Sequence, residues 1–492
     1  MKIRVVDRFD NPPSRYFETL VVLRRDNWDD FGFKTLFDAE VLIPGQESVE
    51  LGSVKILRAG MDGGPTPFDS PQFTALDERY CSLGQDIEYY EKLLLLPERE
   101  RAQFLKFMRD AATDLSIVAA FRGEEGWQNS ILRFGQAEHT LRAARSLFGG
   151  PSPTVGRSGL VHSSSDLQTE VRFDFDDTGP LPGRCKVLIG YNGVGKTRLL
   201  AEIARETSKV GNGDPVPSST PQSTFGAVIA VSYSAFDTFE LPLVADKDRA
   251  STTSFGYTYC GLRRLENGKA SLQLKSIPEI DSELTSAFSL ACSRDVHALE
   301  RALADIDSDP SFGRVGLNLS DWVQVGVIPE NIVSRLSAGQ KIVANIVVQL
   351  AAHLRRRSLV LIDEPETHLH PPLLASLLRG IQRLLEAFDS YLIVATHSPV
   401  VLQEVPAKDV QVIERFGGGI RAVGPQLETF GAGLGELTNE AFGLDNSVSD
   451  YRAVIRELAQ GMSIDAIEEL FPLGMASQAR ALAMRAMRRE GQ

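Results

Sequence analysis

Gly190-Tyr191-Asn192-Gly193-Val194-Gly195-Lys196-Thr197 is the stretch that decides the fold. It fits G-x-x-x-x-G-K-[ST] at every fixed position. A short apolar strand, Cys185 to Ile189, precedes it, and a helical pattern follows. A glycine-rich strand-to-helix turn lets backbone N–H groups curl around phosphate oxygens. The helix behind it points its positive end at the same phosphates. Lys196 is placed to reach the β- and γ-phosphates, and Thr197 to hold Mg²⁺. Gly190, Asn192, Gly193, Gly195, Lys196, Thr197 and the adjoining Arg198 are the candidate residues for binding ATP or GTP.

Further along, Leu359-Val360-Leu361-Ile362-Asp363-Glu364-Pro365 is an apolar strand ending in two carboxylates. A buried parallel strand delivers its C-terminal end to the ligand crevice. There Asp363 would bind Mg²⁺, directly or through water. Glu364 would take a proton from an attacking water. Standing alone, the pair reads equally well as helix-capping acids at a strand-to-helix turn. The phosphate loop tips the balance toward the metal and base roles.

Two more segments bear on the same chemistry. Leu336-Ser337-Ala338-Gly339-Gln340-Lys341 opens an apolar helix through Leu354. Ser337 is a good N-cap and Gly339 a close-approach residue, so this tip could meet an anion. Alone it would be a capped core helix. Ala395-Thr396-His397-Ser398-Pro399 ends another apolar strand. His397 there could contact the γ-phosphate or orient water, or simply sit in a surface turn.

Around these motifs, strands and helices alternate: strands at 171–175, 226–233, 255–260, 359–362, 391–395 and 410–413, with helices near 282–305 and 372–387. That alternation predicts an α/β core with a mixed, largely parallel sheet. Residues 1–150 predict an N-terminal strand-rich α+β region. Its strands are expected at 16–23, 33–43 (interrupted by Glu40) and 49–57. Its helices are expected from Pro97 to Phe121, with Phe104, Leu105, Phe107 and Met108 on one face, and from Ser130 to Phe148. Residues 149–168 and 211–224 read as linker or loop. The organisation expected is 1–150, an ATPase domain at 169–430 with a helical lobe at about 240–335, and a helical C-terminal extension at 431–492.

Composition narrows the setting. The 492 residues exceed one compact core. Lys plus Arg number 52 against 65 Asp plus Glu, a net charge of −13, which argues against non-specific coating of nucleic acid. Cys81, Cys185, Cys260 and Cys292 form no C-x-x-C pair, so a reducing, cytoplasmic setting is expected. No signal core and no membrane-length apolar run is present, so no membrane partner is expected.

Phosphate loop, Leu-Ser-x-Gly-Gln, Asp-Glu-Pro and Thr-His-Ser together, in this order, resemble ABC-type ATPases. The run Asp363-Glu364-Pro365-Glu366-Thr367-His368-Leu369-His370-Pro371 is similar to the SMC/RecF/OLD-like branch (AAA_21/AAA_15), not to transporter subunits. The resemblance covers about residues 170–425. It implies a P-loop ABC-type ATPase core that hydrolyses ATP with Mg²⁺. It implies a head-to-tail ATP-sandwich dimer, or a higher oligomer, in which Ser337, Gly339 and Gln340 meet the γ-phosphate held by another copy. Residues 366–371 would be the D-loop at that seam, His397 the switch histidine, and Glu364 with His397 the catalytic pair. Two departures stand out. Ala338 replaces a common glycine. No Q-loop glutamine follows Val231, where Ser232-Tyr233-Ser234-Ala235-Phe236-Asp237 offers only serines and Asp237. Phe173 and Phe175 are candidates for stacking on adenine, although core aromatics on a strand fit them equally.

About 140 residues between Thr197 and Leu336 leave no room for SMC coiled-coil arms. The 95 residues after His397 hold no Asp-x-Asp, so an OLD-type nuclease domain is not expected. The resemblance then implies an ATPase subunit like those of bacterial anti-phage systems, Septu-like or PARIS-like, working with a separately encoded effector such as a nuclease. A RecF-like DNA-repair ATPase is the alternative. It would need a basic stripe, and only Arg355-Arg356-Arg357 and the tail arginines Arg480, Arg485, Arg488 and Arg489 offer one. A transporter subunit fits least, given the missing Q-loop and the large N-terminal region.

Overall fold

The computed structural model describes residues 1–7, 16–148, 158–162, 171–175, 181–208, 225–234, 239, 253–254, 256–266, 269–329, 333, 335–416, 419–442 and 450–490. They form two compact units, Met1–Leu434 and Gly435–Gln492.

The N-terminal part of the first unit is built on strands β1 (Lys2–Val6), β2 (Leu20–Arg25), β3 (Leu36–Leu42), β4 (Val49–Arg58) and β5 (Tyr80–Gly84). They pair in that order, with a short Gln72–Phe73 strand outside β1. β1 and β2 are parallel and the rest antiparallel. The interruption expected at Glu40 is a register shift between Ala39 and Glu40. The buried Glu40 carboxylate is matched there by Arg24 at 2.7 Å. Helices α1 (Ile87–Leu93), α2 (Glu98–Phe107), α3 (Leu115–Phe121) and α4 (Gly135–Leu147) cover the sheet. Phe37, Val54, Ile56, Tyr89, Phe104 and Trp127 fill the core between them.

Two helix expectations need correcting. The single helix read over 97–121 is broken between α2 and α3. Arg109 takes φ +49°, and the buried Asp110 turns inward to accept from the Tyr90 hydroxyl at 2.7 Å. Asp114 then caps α3 through Ser116 N–H at 2.9 Å. The second helix starts at Gly135, not at Ser130. Ser130 is buried beneath the sheet in a π-helical turn, where its hydroxyl donates to Asp30 at 2.8 Å. Asp30 in turn pairs with the buried Lys55 at 2.7 Å.

Part of the expected linker is also ordered strand. β6 (Ser158–His162) pairs antiparallel with β7 (Val171–Phe175). Five residues bounded by glycine and serine carry too little periodicity to be read as a strand. The remainder of 149–168, the 211–224 loop and Asp237 lie outside the described residues.

The central sheet contains β8 (Cys185–Ile189), β9 (Val228–Ser232), β10 (Tyr257–Gly261), β11 (Leu359–Asp363), β12 (Tyr391–Thr396), β13 (Val410–Phe416) and β14 (Gly419–Val423). Among the described residues its order is Thr253–Ser254, β10, β9, β11, β12, β8, β13, β14. Every pairing from β10 to β13 is parallel, and the two edges are antiparallel. β8, β9, β11 and β12 are buried along their whole length, as continuous Val/Ile/Leu runs dictate for a parallel sheet covered on both faces. This is a mixed, largely parallel α/β core, as the alternation of strands and helices leads one to expect. Helix α5 (Lys196–Ser208) packs on β9, β11 and β12.

A long helix, α6 (Ile277–Asp307), is interrupted at Asp295, whose carboxylate accepts from Ala298 N–H at 2.9 Å and restarts the second half. Short helices α7 (Pro310–Arg314) and α8 (Ser320–Val325) lead to α9 (Ala338–His353), and α10 (Pro371–Ala387) follows β11. Helices α6, α9 and α10 pack together.

The N-terminal sheet is fastened to this core by charge. Asp86 and Glu88, at the start of α1, face Arg355 at 3.2 and 3.5 Å, and Glu88 also meets Arg294 at 3.5 Å. The Arg294 guanidinium donates to Ala352 O near the end of α9 at 2.9 Å. Arg355, the first of the basic run, is thus engaged inside the unit. Arg357 adopts φ +59° and its carbonyl accepts from Gly226 N–H at 3.0 Å. Gly135 starts α4 where an added Cβ would lie 2.4 Å from Thr207 O of α5.

The second unit holds helices Asp450–Gly461, Ile464–Glu468 and Ser477–Glu490 around Ile455, Ala459, Ile467 and Ala483. Arg480 pairs with Glu468 at 2.6 Å. Among the described residues no helix is long and apolar enough to cross a membrane.

Candidate active site

Parallel pairing carries three strand ends to one edge of the sheet. Ile189 of β8 sits opposite Thr396 of β12, and Ala395 of β12 opposite Asp363 of β11. The phosphate loop, the acidic pair and the histidine turn are therefore neighbours because their strands are.

The loop between β8 and α5 needs its glycines. Gly193 and Gly195 have φ of +78° and +106°, open to glycine and costly for other residues. A Cβ on Gly190 would come within 2.4 Å of Ile413 O on β13. Asn192 and Gly193 are exposed. Lys196 is buried, and its ammonium donates to Gly190 O at 2.9 Å and Tyr191 O at 3.2 Å. Burial pushes its pKa below the ordinary value, while the charges of Glu364, Asp363 and Glu366 oppose that shift. Arg198 lies along α5 with its Nε on Glu202 at 2.9 Å. Glu202 and Glu206 in turn face the two ring nitrogens of the buried His162 on β6, at 3.3 and 2.8 Å.

Thr197 Oγ1 donates to Asp363 Oδ2 at 2.8 Å, with Oδ1 at 3.1 Å. Asp363 is buried at the end of β11. Neighbouring ligands of an octahedral Mg²⁺ with bonds of about 2.0–2.1 Å lie roughly 2.9 Å apart. The hydroxyl and carboxylate already stand at that spacing, and both are hard oxygen donors, so the residues present fit the ion.

Glu364 is one of few non-glycine residues in the left-handed region, with φ +45°. Such a residue costs on the order of 1–2 kcal/mol relative to a right-handed conformation. Its N–H donates to Ala395 O at 2.8 Å, which locks the turn to β12. The carboxylate is partly exposed, and Oε1 lies 3.7 Å from His397 Nδ1.

Glu366 was not singled out as a site residue in the sequence, yet it organises this corner. Its Oε1 accepts from the Thr396 hydroxyl at 2.7 Å and from the His397 backbone N–H at 2.6 Å. His397 Nδ1 lies 3.0 Å from the same oxygen. The D-loop resemblance implies that residues 366–371 sit at a subunit seam; within the chain the Glu366 carboxylate faces Thr396 and His397, while His368 and His370 are exposed. Arg415 was missed too: from β13 it donates to Gly193 O at 3.0 Å. Only the length of the acidic run Asp363-Glu364-Pro365-Glu366 hinted at Glu366, and nothing in the sequence marked Arg415.

The signature tip stands on α9. Ser337 caps the helix, its Oγ accepting from Gln340 N–H at 3.3 Å, and Ser337 N–H donates back to Gln340 Oε1 at 2.9 Å. Gln340 is buried, its amide nitrogen reaching Ser311 Oγ at 3.3 Å, so this side chain serves the cap. Ser337 and Ala338 are exposed. A Cβ on Gly339 would sit 3.0 Å from His368 O, so the missing side chain lets α9 pack on its own 366–371 turn. Ser232 is buried and lies in register with Asp363. Phe173 and Phe175 are buried in the core, Phe175 against Tyr391 at 4.6 Å, which is the core reading of these aromatics.

A relative, protein ea59 of Escherichia phage lambda, is 31% identical over 471 residues, spanning 88% of each chain. The chain belongs to the ea59 family. A family model described as "AAA domain, putative AbiEii toxin, Type IV TA system" matches residues 271–403 of this ea59-family chain. That stretch holds the signature tip, the acidic pair and His397, and stops short of the phosphate loop. Among solved structures, the SMC head domain from Thermotoga maritima is 13% identical, covering 55% of this chain and 98% of that one, with a TM-score of 0.26. RNase-L Inhibitor is 14% identical, covering 55% of this chain and 40% of its own, with a TM-score of 0.23. At those scores neither adds to the fold, which rests on the strand order and on where the motifs fall in it.

Proposed function

We propose that this ea59-family chain binds ATP and hydrolyses it to ADP and phosphate, with its site completed by the signature tip of a second copy. The observation that carries this is the 2.8 Å approach of Thr197 to Asp363 beside the strained Glu364. The loop N–H groups and Lys196 hold the β- and γ-phosphates. Thr197 and Asp363 would hold Mg²⁺, which supplies charge neutralisation at the phosphate oxygens. Glu364 accepts a proton from water as its oxygen attacks the γ-phosphorus and the bond to the ADP oxygen breaks. His397 steadies the γ-phosphate. Ser337, exposed on its helix tip, contacts that phosphate from another copy. Loss of the bridging phosphate then opens the pair.

The finer role we propose is control of a separately encoded effector, such as a nuclease, in anti-phage defence, with residues 1–150 as the docking or sensing part. Its support is the order of the motifs and the Glu-Thr-His-Leu-His turn. The engagement of Arg355 by Asp86 and Glu88 weighs against the RecF-like alternative, because it removes that residue from a DNA-facing stripe.

The test is nucleotide binding and steady-state turnover of purified protein. Lys196→Ala should abolish ATP binding. Glu364→Gln should bind ATP, lose at least about a hundredfold in kcat, and elute as a dimer only with ATP. Parental turnover in Glu364→Gln would remove the base assignment.

A further inference from the structure

We propose that Glu366 is the positioning residue of His397, a role that rests on the reading above. Three groups from the end of β12 converge on one carboxylate oxygen, Oε1: the Thr396 hydroxyl at 2.7 Å, the His397 backbone N–H at 2.6 Å and the His397 ring Nδ1 at 3.0 Å. Bonds to a carboxylate are shorter and stronger than neutral ones, so this oxygen fixes the backbone of the histidine, while the ring Nδ1 stands beside it at ion-pair distance without a hydrogen bond. The Thr396 hydroxyl also accepts from Ser398 N–H at 2.9 Å, which extends the hold through the turn.

The second oxygen, Oε2, is buried and has no hydrogen-bond partner among the described residues. A buried orphan acceptor costs stability, and a purely structural anchor would do better with both oxygens matched. Glu366 also stands two residues after the strained Glu364, so one tight turn carries the base toward water and the anchor toward histidine. With Nδ1 facing Glu366 and Glu364, Nε2 is the ring nitrogen left for the phosphate.

The test compares Glu366→Ala, Glu366→Gln, His397→Ala and the Glu366→Ala/His397→Ala pair. If Glu366 acts through His397, Glu366→Ala lowers kcat about as far as His397→Ala, leaves KM for ATP within about twofold, and adds nothing in the double variant. Glu366→Gln, whose amide oxygen can accept from the same hydroxyl and N–H, recovers most of the rate. A parental kcat in Glu366→Ala, or multiplicative losses in the double variant, overturns the proposal. The ring ¹⁵N signals of His397, assigned by their loss in His397→Ala, give a readout that needs no turnover. They should move in Glu366→Ala and stay near the parental positions in Glu366→Gln. Unmoved signals in Glu366→Ala would refute the positioning role even in a protein that hydrolyses no ATP, whereas moved signals without parental hydrolysis would refute only the ATPase reading. Should Glu366→Ala fail to fold, Thr396→Val removes one of the converging donors, and the same signals should shift.

Discussion

Arg355 meets Asp86 at 3.2 Å across 269 residues of sequence. With Glu88 and Arg294 it forms a four-residue charge cluster between α1 and the end of α9. The groups are partly exposed, so solvent screens each pair. Arg355→Glu sets three like charges together and should lower unfolding free energy by about 1–2 kcal/mol. Denaturant titration at low and high salt checks this: the loss should shrink as ionic strength rises.

The left-handed Glu364 offers a direct measure of strain. Glu364→Ala and Glu364→Gly both delete the carboxylate, and only the second relieves φ +45°. Glu364→Gly should be the more stable by about 1 kcal/mol, with both unable to hydrolyse ATP. Thermal unfolding of the pair decides it, and equal midpoints would mean that the turn carries no strain.

A site shared between copies predicts complementation. Lys196→Ala and Ser337→Arg chains should each be inactive alone. Mixed one to one, random pairing leaves one intact composite site in half the dimers, restoring about a quarter of parental turnover. No recovery after verified subunit exchange would place Ser337 outside the site.

Asp110 makes stability depend on pH. Burial raises its carboxyl from an ordinary value near 3.8 to about 6, against hydrogen bonds from Tyr90 and Thr113 that lower it. The native state therefore holds this proton more tightly than the unfolded chain. Its contribution is fully present below about pH 4 and is lost as pH rises through about 6, by on the order of 3 kcal/mol. Asp110→Asn should flatten that part of the profile, measured as the difference in unfolding free energy from parent across pH 4 to 7.

The edge of the sheet where the motifs gather was legible because each motif is local. A glycine loop, an apolar strand ending in acids and a histidine turn each declare their ends, and parallel pairing brings those ends together. What escaped depends on contacts distant in sequence. Arg355 reads as a solvated charge until α1 is folded against it. Glu366 looks like part of an outward turn until Thr396 and His397 arrive 30 and 31 residues later. Gln340 completes a capping box that three residues of sequence announce, whereas its burial beside Ser311 depends on a residue 29 positions earlier. The break between α2 and α3 follows from an inward aspartate that no periodicity announces.

Helix α9 begins at the Ser337 cap and ends beside the arginines that hold Asp86 and Glu88. Its 16 residues make an unbroken rod about 24 Å long. A tilt imposed at one end is delivered to the other with little loss, since a packed helix bends far less readily than the loops around it. The Ser337 cap and the arginines that hold Asp86 and Glu88 thus stand at the two ends of one stiff element.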